Sequence, residues 1–109
     1  MIVTREQLHN ALMIYAEKEI AMKASGATRF AAYFLLARLH DHPEKTVGAI
    51  LEHPLVKMAD IENDNGTIKA DELYSAARSA MEKAVSITIS GITFSVPDID
   101  KIYSILQGG

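Results

Sequence analysis

Residues 61–72 read Ile61-Glu62-Asn63-Asp64-Asn65-Gly66-Thr67-Ile68-Lys69-Ala70-Asp71-Glu72. Asn65-Gly66 is a strong turn dipeptide, because both residues tolerate left-handed backbone. Thr67-Ile68-Lys69 then reads as a short strand whose isoleucine packs inward. Asp71 and Glu72 suit the positive end of a helix that starts near Ala70. The polar stretch from Asp60 to Gly66 therefore joins two halves of one chain.

Downstream, Leu73, Ala76, Ala77, Ala80, Met81 and Ala84 repeat at three and four residues. This is the cleanest helical period in the chain. Its alanines bury little area each, so this helix depends on its neighbours. The texture changes at Ser86. Ile87-Thr88-Ile89 and Ile92-Thr93-Phe94 alternate apolar and polar around Ser90-Gly91, the pattern of a hairpin with a two-residue turn. Two strands alone are marginal in water, so the hairpin must pack on helices or gain a third strand. Thr67-Ile68-Lys69 is a candidate for that strand. Ser95-Val96-Pro97-Asp98 opens a last helix, with serine as cap, proline in the first turn and aspartate at the capping-box position. Ile99, Ile102, Tyr103 and Leu106 form its inner face.

Upstream, Thr4 and Gln7 form a capping box for the first helix. Leu8, Ala11, Leu12, Tyr15 and Ala16 lie on one of its faces, and Met13 and Ile14 widen the stripe. Ser25-Gly26 ends this helix, and Thr28 caps the second, which runs to about His40. Phe30, Ala31, Ala32, Tyr33, Phe34, Leu35, Leu36, Ala37 and Leu39 make it apolar almost all round, which predicts the central, most buried element. Asp41-His42-Pro43-Glu44 is a stop and restart. The third helix carries Val47, Ile50 and Leu51. His53-Pro54 interrupts it, and a short fourth follows with Leu55, Met58 and Ala59.

The chain has 109 residues, 49% of them hydrophobic and 23% charged, with no cysteine. Those values fit one globular domain, residues 1–109, and exclude disulfides and thiolate metal sites. The net charge is −3 and the basic residues are scattered, so no clustered positive face is expected for nucleic acid. The longest wholly apolar run, Phe30 to Ala37, is far short of the ~20 residues that span a bilayer. Arg5, Glu6, Glu17, Lys18 and Glu19 break any apolar leader within residues 1–22. The expectation is a cytoplasmic protein with no membrane or nucleic-acid partner.

With Gly66 at position six, residues 61–72 resemble the calcium loop of EF-hand proteins. Asn63 then stands at position three, Asn65 at five, Thr67 at seven, Ile68 at the apolar position eight, and Glu72 at twelve. The resemblance implies Asn63, Asn65, Thr67 and Glu72 as metal ligands. Two departures weaken it. Ile61 occupies the first ligand position, and Lys69 brings a positive charge to position nine. Only Glu72 would contribute formal negative charge, so any calcium binding is expected to be weak, in the millimolar range or absent. The same residues serve equally as a turn, a strand and a helix start. No other cofactor is expected.

A second resemblance covers roughly residues 60–106. Asn65 and Gly66 lead to Asp71, Leu73 and Tyr74, and the chain closes on Asp98, Asp100, Lys101 and Tyr103. This rhythm is similar to small uncharacterised proteins of phages and prophages. It implies a phage or mobile-element context and no particular activity.

Other constellations are thin. His40-Asp41-His42 with His53 offers imidazole and carboxylate ligands for zinc or nickel, but His42 and His53 already precede prolines where polar side chains cap. His9 is expected at the surface. Ser86, Ser90 and Ser95 stand in no nucleophile-elbow pattern. Tyr15, Tyr33, Tyr74 and Tyr103 lie at or beside helical stripes, as core edge or interface.

The expected fold is mainly α: five to six helices with one C-terminal β-hairpin. The sequence leaves open whether residues 67–69 add a third strand to that hairpin. The expected role is non-catalytic, a protein-interaction or structural module that meets a protein partner or a second copy of itself. The alternative is a weak calcium-binding module.

Overall fold

The computed structural model describes residues 1–22, 26–82, 86–89 and 91–108. Its elements run β1 (Ile2–Val3), α1 (Arg5–Met22), α2 (Gly26–Asp41), α3 (Pro43–Leu51), α4 (Pro54–Met58), β2 (Ile68–Lys69), α5 (Ala70–Ala80), β3 (Ser86–Ile89), β4 (Ile92–Ser95) and α6 (Val96–Leu106). The fold is mainly helical, as the periodicity predicts. Among the described residues no helix is long and apolar enough to cross a membrane.

The capping box of α1 forms. The Gln7 amide donates to Thr4 Oγ1 at 3.0 Å, and the Thr4 amide donates to Gln7 Oε1 at 2.7 Å. Leu8, Ala11, Leu12, Tyr15 and Ala16 are all buried. The helix packs against α2, α3 and α6; Met13 joins that packing, but Ile14 is 42% exposed and does not widen the buried stripe.

Helix α2 departs from expectation twice. It begins at Gly26, so Thr28 lies inside its first turn and is no cap, since a cap residue has non-helical backbone. Ser25, expected to end α1, lies outside the described residues. Nor is α2 the central element. Ala32, Leu35 and Leu39 are buried, but Phe30 is 71% exposed, Tyr33 54% and Phe34 38%. The helix packs against α1, α3 and β4, and the Phe34 ring borders the hairpin turn at Gly91. Apolar composition all round reports what the helix can bury, not what is there to bury it.

The restart at Pro43 is held by a residue the sequence reading passed over. Thr46 is buried, and its hydroxyl is shared between the carbonyls of His42, at 2.7 Å, and Arg38, at 3.1 Å. It thereby ties the end of α2 to the start of α3. His42 stands at the N-cap without a side-chain capping bond. In α4 the buried residue is Val56, not Met58, which is 81% exposed. The side chain of Leu55 lies outside the description.

Asp60 ends this region in left-handed backbone, φ 51°, a conformation aspartate tolerates better than most residues. The Gly66 amide bonds the Asn63 carbonyl at 2.9 Å, and Gly66 itself has φ 83°. The turn then delivers β2, which pairs antiparallel with β1 in the register Ile2↔Lys69 and Val3↔Ile68. Ile68–Lys69, within the expected segment 67–69, therefore do make a strand, but its partner is the start of the chain and not the hairpin.

The hairpin forms in the expected register, Ser86↔Ser95 through Ile89↔Ile92. Gly91 supplies the positive φ, 80°, of its turn. Strand β4 packs on α2 and α6, with Ile92 and Phe94 buried. At α6 the capping box closes. Asp98 Oδ2 accepts from the Ser95 amide and hydroxyl, both at 2.8 Å. Ile102 is buried beneath it, with Ile99 and Leu106 partly so.

The two faces of α2 make a direct test. Leu39→Ala should cost about 2–5 kcal/mol, the usual range for emptying a buried leucine site. Phe30→Ala should change stability by no more than about 0.5 kcal/mol. Urea unfolding midpoints of the two variants decide it, and equal losses would contradict this placement of α2.

Candidate functional site

The four candidate calcium ligands fall into two groups. Asn63, Asn65 and Thr67 are drawn together by their own hydrogen bonds. Asn63 Nδ2 donates to Thr67 Oγ1 at 3.0 Å, and Thr67 Oγ1 donates to Asn65 Oδ1 at 2.6 Å. The Thr67 amide donates to the same Asn65 oxygen at 3.1 Å. Glu72 stands in the first turn of α5, exposed, and joins none of these bonds. Ile61 is buried in the core, and Lys69 Nζ lies 3.5 Å from the Asp60 carbonyl. Arg5 Nη2 sits 3.0 Å from both carboxylate oxygens of Glu62, pinning the loop to the start of α1.

Of the histidines, His9 makes a bond between helices, and His42 makes no side-chain capping bond at the start of α3. His9 is half-buried, contrary to its expected surface position, with Nε2 3.0 Å from the Leu39 carbonyl. His40 and Asp41 are neighbours at 3.9 Å on an exposed helix end. Among the described residues no three histidine, cysteine or acidic side chains gather as a metal site.

The residues of the second resemblance meet across α5 and α6. Tyr103 donates to Asp71 Oδ1, and Tyr74 donates to Asp100 Oδ1 at 2.7 Å. Each helix thus offers one tyrosine and one aspartate to the other. The two rings stack with centroids 4.2 Å apart and 13° between planes. Arg78 Nη1 reaches both oxygens of Asp100 at 3.1 Å and lies 5.9 Å from the centre of the Tyr74 ring. Met1's amine sits 2.5 Å from Asp71 Oδ2. That amine, then the Tyr103 hydroxyl, holds the Asp71 carboxyl below its ordinary value of 3.8. The bond to each aspartate raises the partner tyrosine.

A second polar group joins α1 to α6. Glu19 is buried at 4% exposure, and Lys101 Nζ donates to its Oε1 at 2.6 Å. Tyr15 lies nearby. Burial, then its hydrogen bond with Asp98, pushes its phenol far above the usual range. Beneath the stacked tyrosines lies a cavity of about 60 Å³ lined by apolar side chains, among them Leu8, Leu12, Leu73 and Ile102. These features hold helices together. Tyr74 and Tyr103 also line this cavity, and a second, more polar pocket is lined by Arg5, Glu6, His9, Pro43, Glu44 and Val47.

The exposed side of α2 is different. Phe30, Tyr33, Phe34 and Ala37 follow the spacing i, i+3, i+4, i+7 and so form one strip along the helix. All four are exposed, and no Asp, Glu, Lys or Arg occurs from Phe30 to Ala37. Single exposed apolar residues are ordinary, but adjacent large ones are informative. The apolar surround of α2 predicts Phe30 and Phe34 in the core and Tyr33 at core edge or interface, whereas all three are exposed. The available signal was excess: an apolar surface wider than one buried face requires.

Two measurements follow. Millimolar calcium should leave the melting temperature unchanged, because Glu72 alone brings negative charge and Lys69 opposes the ion. A rise that Glu72→Gln abolishes would overturn this. Asp71→Asn should be less stable than the parent at neutral pH. Folding lowers the Asp71 value, so its contribution is present above about 3.8 and lost as pH falls through the lower folded value. The gap between the two proteins in urea midpoint should therefore close on acidification. A gap constant down to pH 2 or widening there would contradict it.

No family model, no curated protein and no solved structure matches this chain in the comparisons made.

Proposed function

We propose that the chain is a non-catalytic protein-interaction module whose docking surface is the exposed aromatic strip of α2. One observation carries the reading: Phe30, Tyr33 and Phe34 stand at 71%, 54% and 38% exposure on a single uncharged helix face. Burying a phenylalanine is worth about 1.5–3 kcal/mol, so three partly open rings leave binding energy for a partner. Aromatic anchors of this kind are the residues on which protein interfaces most depend. Helices α1 and α3 and strand β4 pack against α2 and hold the strip in place. A phage or mobile-element setting rests on the resemblance over residues 60–106. One alternative, weak calcium binding, rests on the resemblance of residues 61–72 to a calcium loop.

The test uses the chain as bait in extracts of its host, beside Phe30→Glu. Since Phe30 is exposed, the variant should fold and melt like the parent. A partner held by the parent and lost by the variant supports the reading. Identical binding by both proteins, or none by either together with a monomeric parent, defeats it.

A further inference from the structure

We propose that the α2 strip takes a second copy of this chain, as two antiparallel α2 helices related by a two-fold axis. The proposal rests on the interaction-surface reading and names the occupant of that surface.

Shape is the first argument. The strip has large rings at positions 30, 33 and 34 and a small residue at 37. In an antiparallel pair with the axis passing between Tyr33 and Phe34, residue 30 of one copy faces residue 37 of the other. Each Phe30 then lies over the partner copy's Ala37, and the central rings pack against one another. One helix face supplies both the projections and the space that receives them. That self-complementarity is what a two-fold interface requires, since both copies present the same patch.

Charge is the second. The chain carries a net charge of −3, so copies repel through most of their surface. Between Phe30 and Ala37 the strip has no charged side chain to add to that repulsion or to select a charged partner. An antiparallel pair also sets the two helix dipoles in opposition and keeps the exposed Asp41 residues at opposite ends. A parallel pair would bring both Asp41 carboxylates together.

Area is the third. At their exposures, the three rings leave roughly 300 Å² of apolar surface open per copy, taking about 150–250 Å² for a whole aromatic side chain. A standard interface covers about 800 Å² per partner, with its apolar part at the centre. The rings therefore match the apolar centre of an ordinary interface.

The chain has no cysteine, which makes cross-linking unambiguous. Phe30→Cys and Ala37→Cys are prepared separately, then oxidised mildly alone and as an equimolar mixture. A disulfide needs Cα atoms within about 7 Å, so the antiparallel pair predicts a cross-linked dimer in the mixture and little in either variant alone. In parallel, sedimentation equilibrium of the uncut parent should show a monomer–dimer equilibrium. Phe30→Glu should raise its dissociation constant at least about tenfold, and Tyr33→Ser should weaken it too. Melting curves that match the parent at a concentration where both are monomers confirm that the variants fold. A parent that stays monomeric at millimolar concentration overturns the proposal. So does a dimer indifferent to both substitutions, or one in which Phe30→Cys cross-links efficiently to itself. A monomeric parent whose extract partner is still lost with Phe30→Glu defeats self-pairing alone. A monomeric parent without such a partner defeats the interaction reading as well.

Discussion

Ile68 has no exposed surface, and its backbone is bracketed on both sides. Val3 pairs with it across β1 and β2, and Glu62 bridges to it from the other flank. Burying one isoleucine is worth about 1.5–3 kcal/mol, but its position matters more than its area. Val3 enters the core beside it at 4% exposure, and Ile61 lies buried at 3%. The Lys69 amide bonds the Ile61 carbonyl at 2.8 Å, and the Ala70 amide bonds the Met1 carbonyl at 2.9 Å. The start of the chain, the central turn and the first residue of α5 are therefore fixed at one point. α1 and α5, which leave that point directly, take their starting positions from it.

This constraint gives the calcium-like loop a physical explanation. A glycine in left-handed backbone bends the chain, an apolar residue enters the core, and acidic residues begin a helix. Those requirements are shared by a metal loop and a plain turn. Here the ligand-type side chains at 63, 65 and 67 close the turn upon themselves, and the residue at the first ligand position is buried. Local chemistry alone is enough to hold the loop's shape.

The α5–α6 contacts show a similar division between motif and meaning. Asp71, Tyr74, Asp100 and Tyr103 stood out in the sequence as a recurring rhythm. In the structure they are two reciprocal hydrogen-bonded pairs around a stacked ring pair. Exposed pairs of this kind stabilise little one at a time. Four groups and two rings held in one geometry instead fix how the helices sit against each other. Thr46 and the Glu19–Lys101 pair do the same at the α2–α3 and α1–α6 junctions. The polar chemistry of this molecule is thus largely placed between helices, while its open apolar surface lies on α2.

The sequence by itself determined the features that depend on near neighbours in the chain. The Thr4–Gln7 and Ser95–Asp98 boxes, the glycine turns at 66 and 91, the hairpin register and the periods of α1 and α5 all act within a few residues. Capping, turn formation and alternation are local, so their residue types are legible without the fold. Only the tertiary structure decided that β2 pairs with residues 2–3 and not with the hairpin, that His9 turns inward, and that Phe30 and Tyr33 face outward. Burial is a property of what arrives from elsewhere in the chain. An apolar helix states a capacity to be covered, and the packing of α1, α3 and β4 decided which side of α2 was left open.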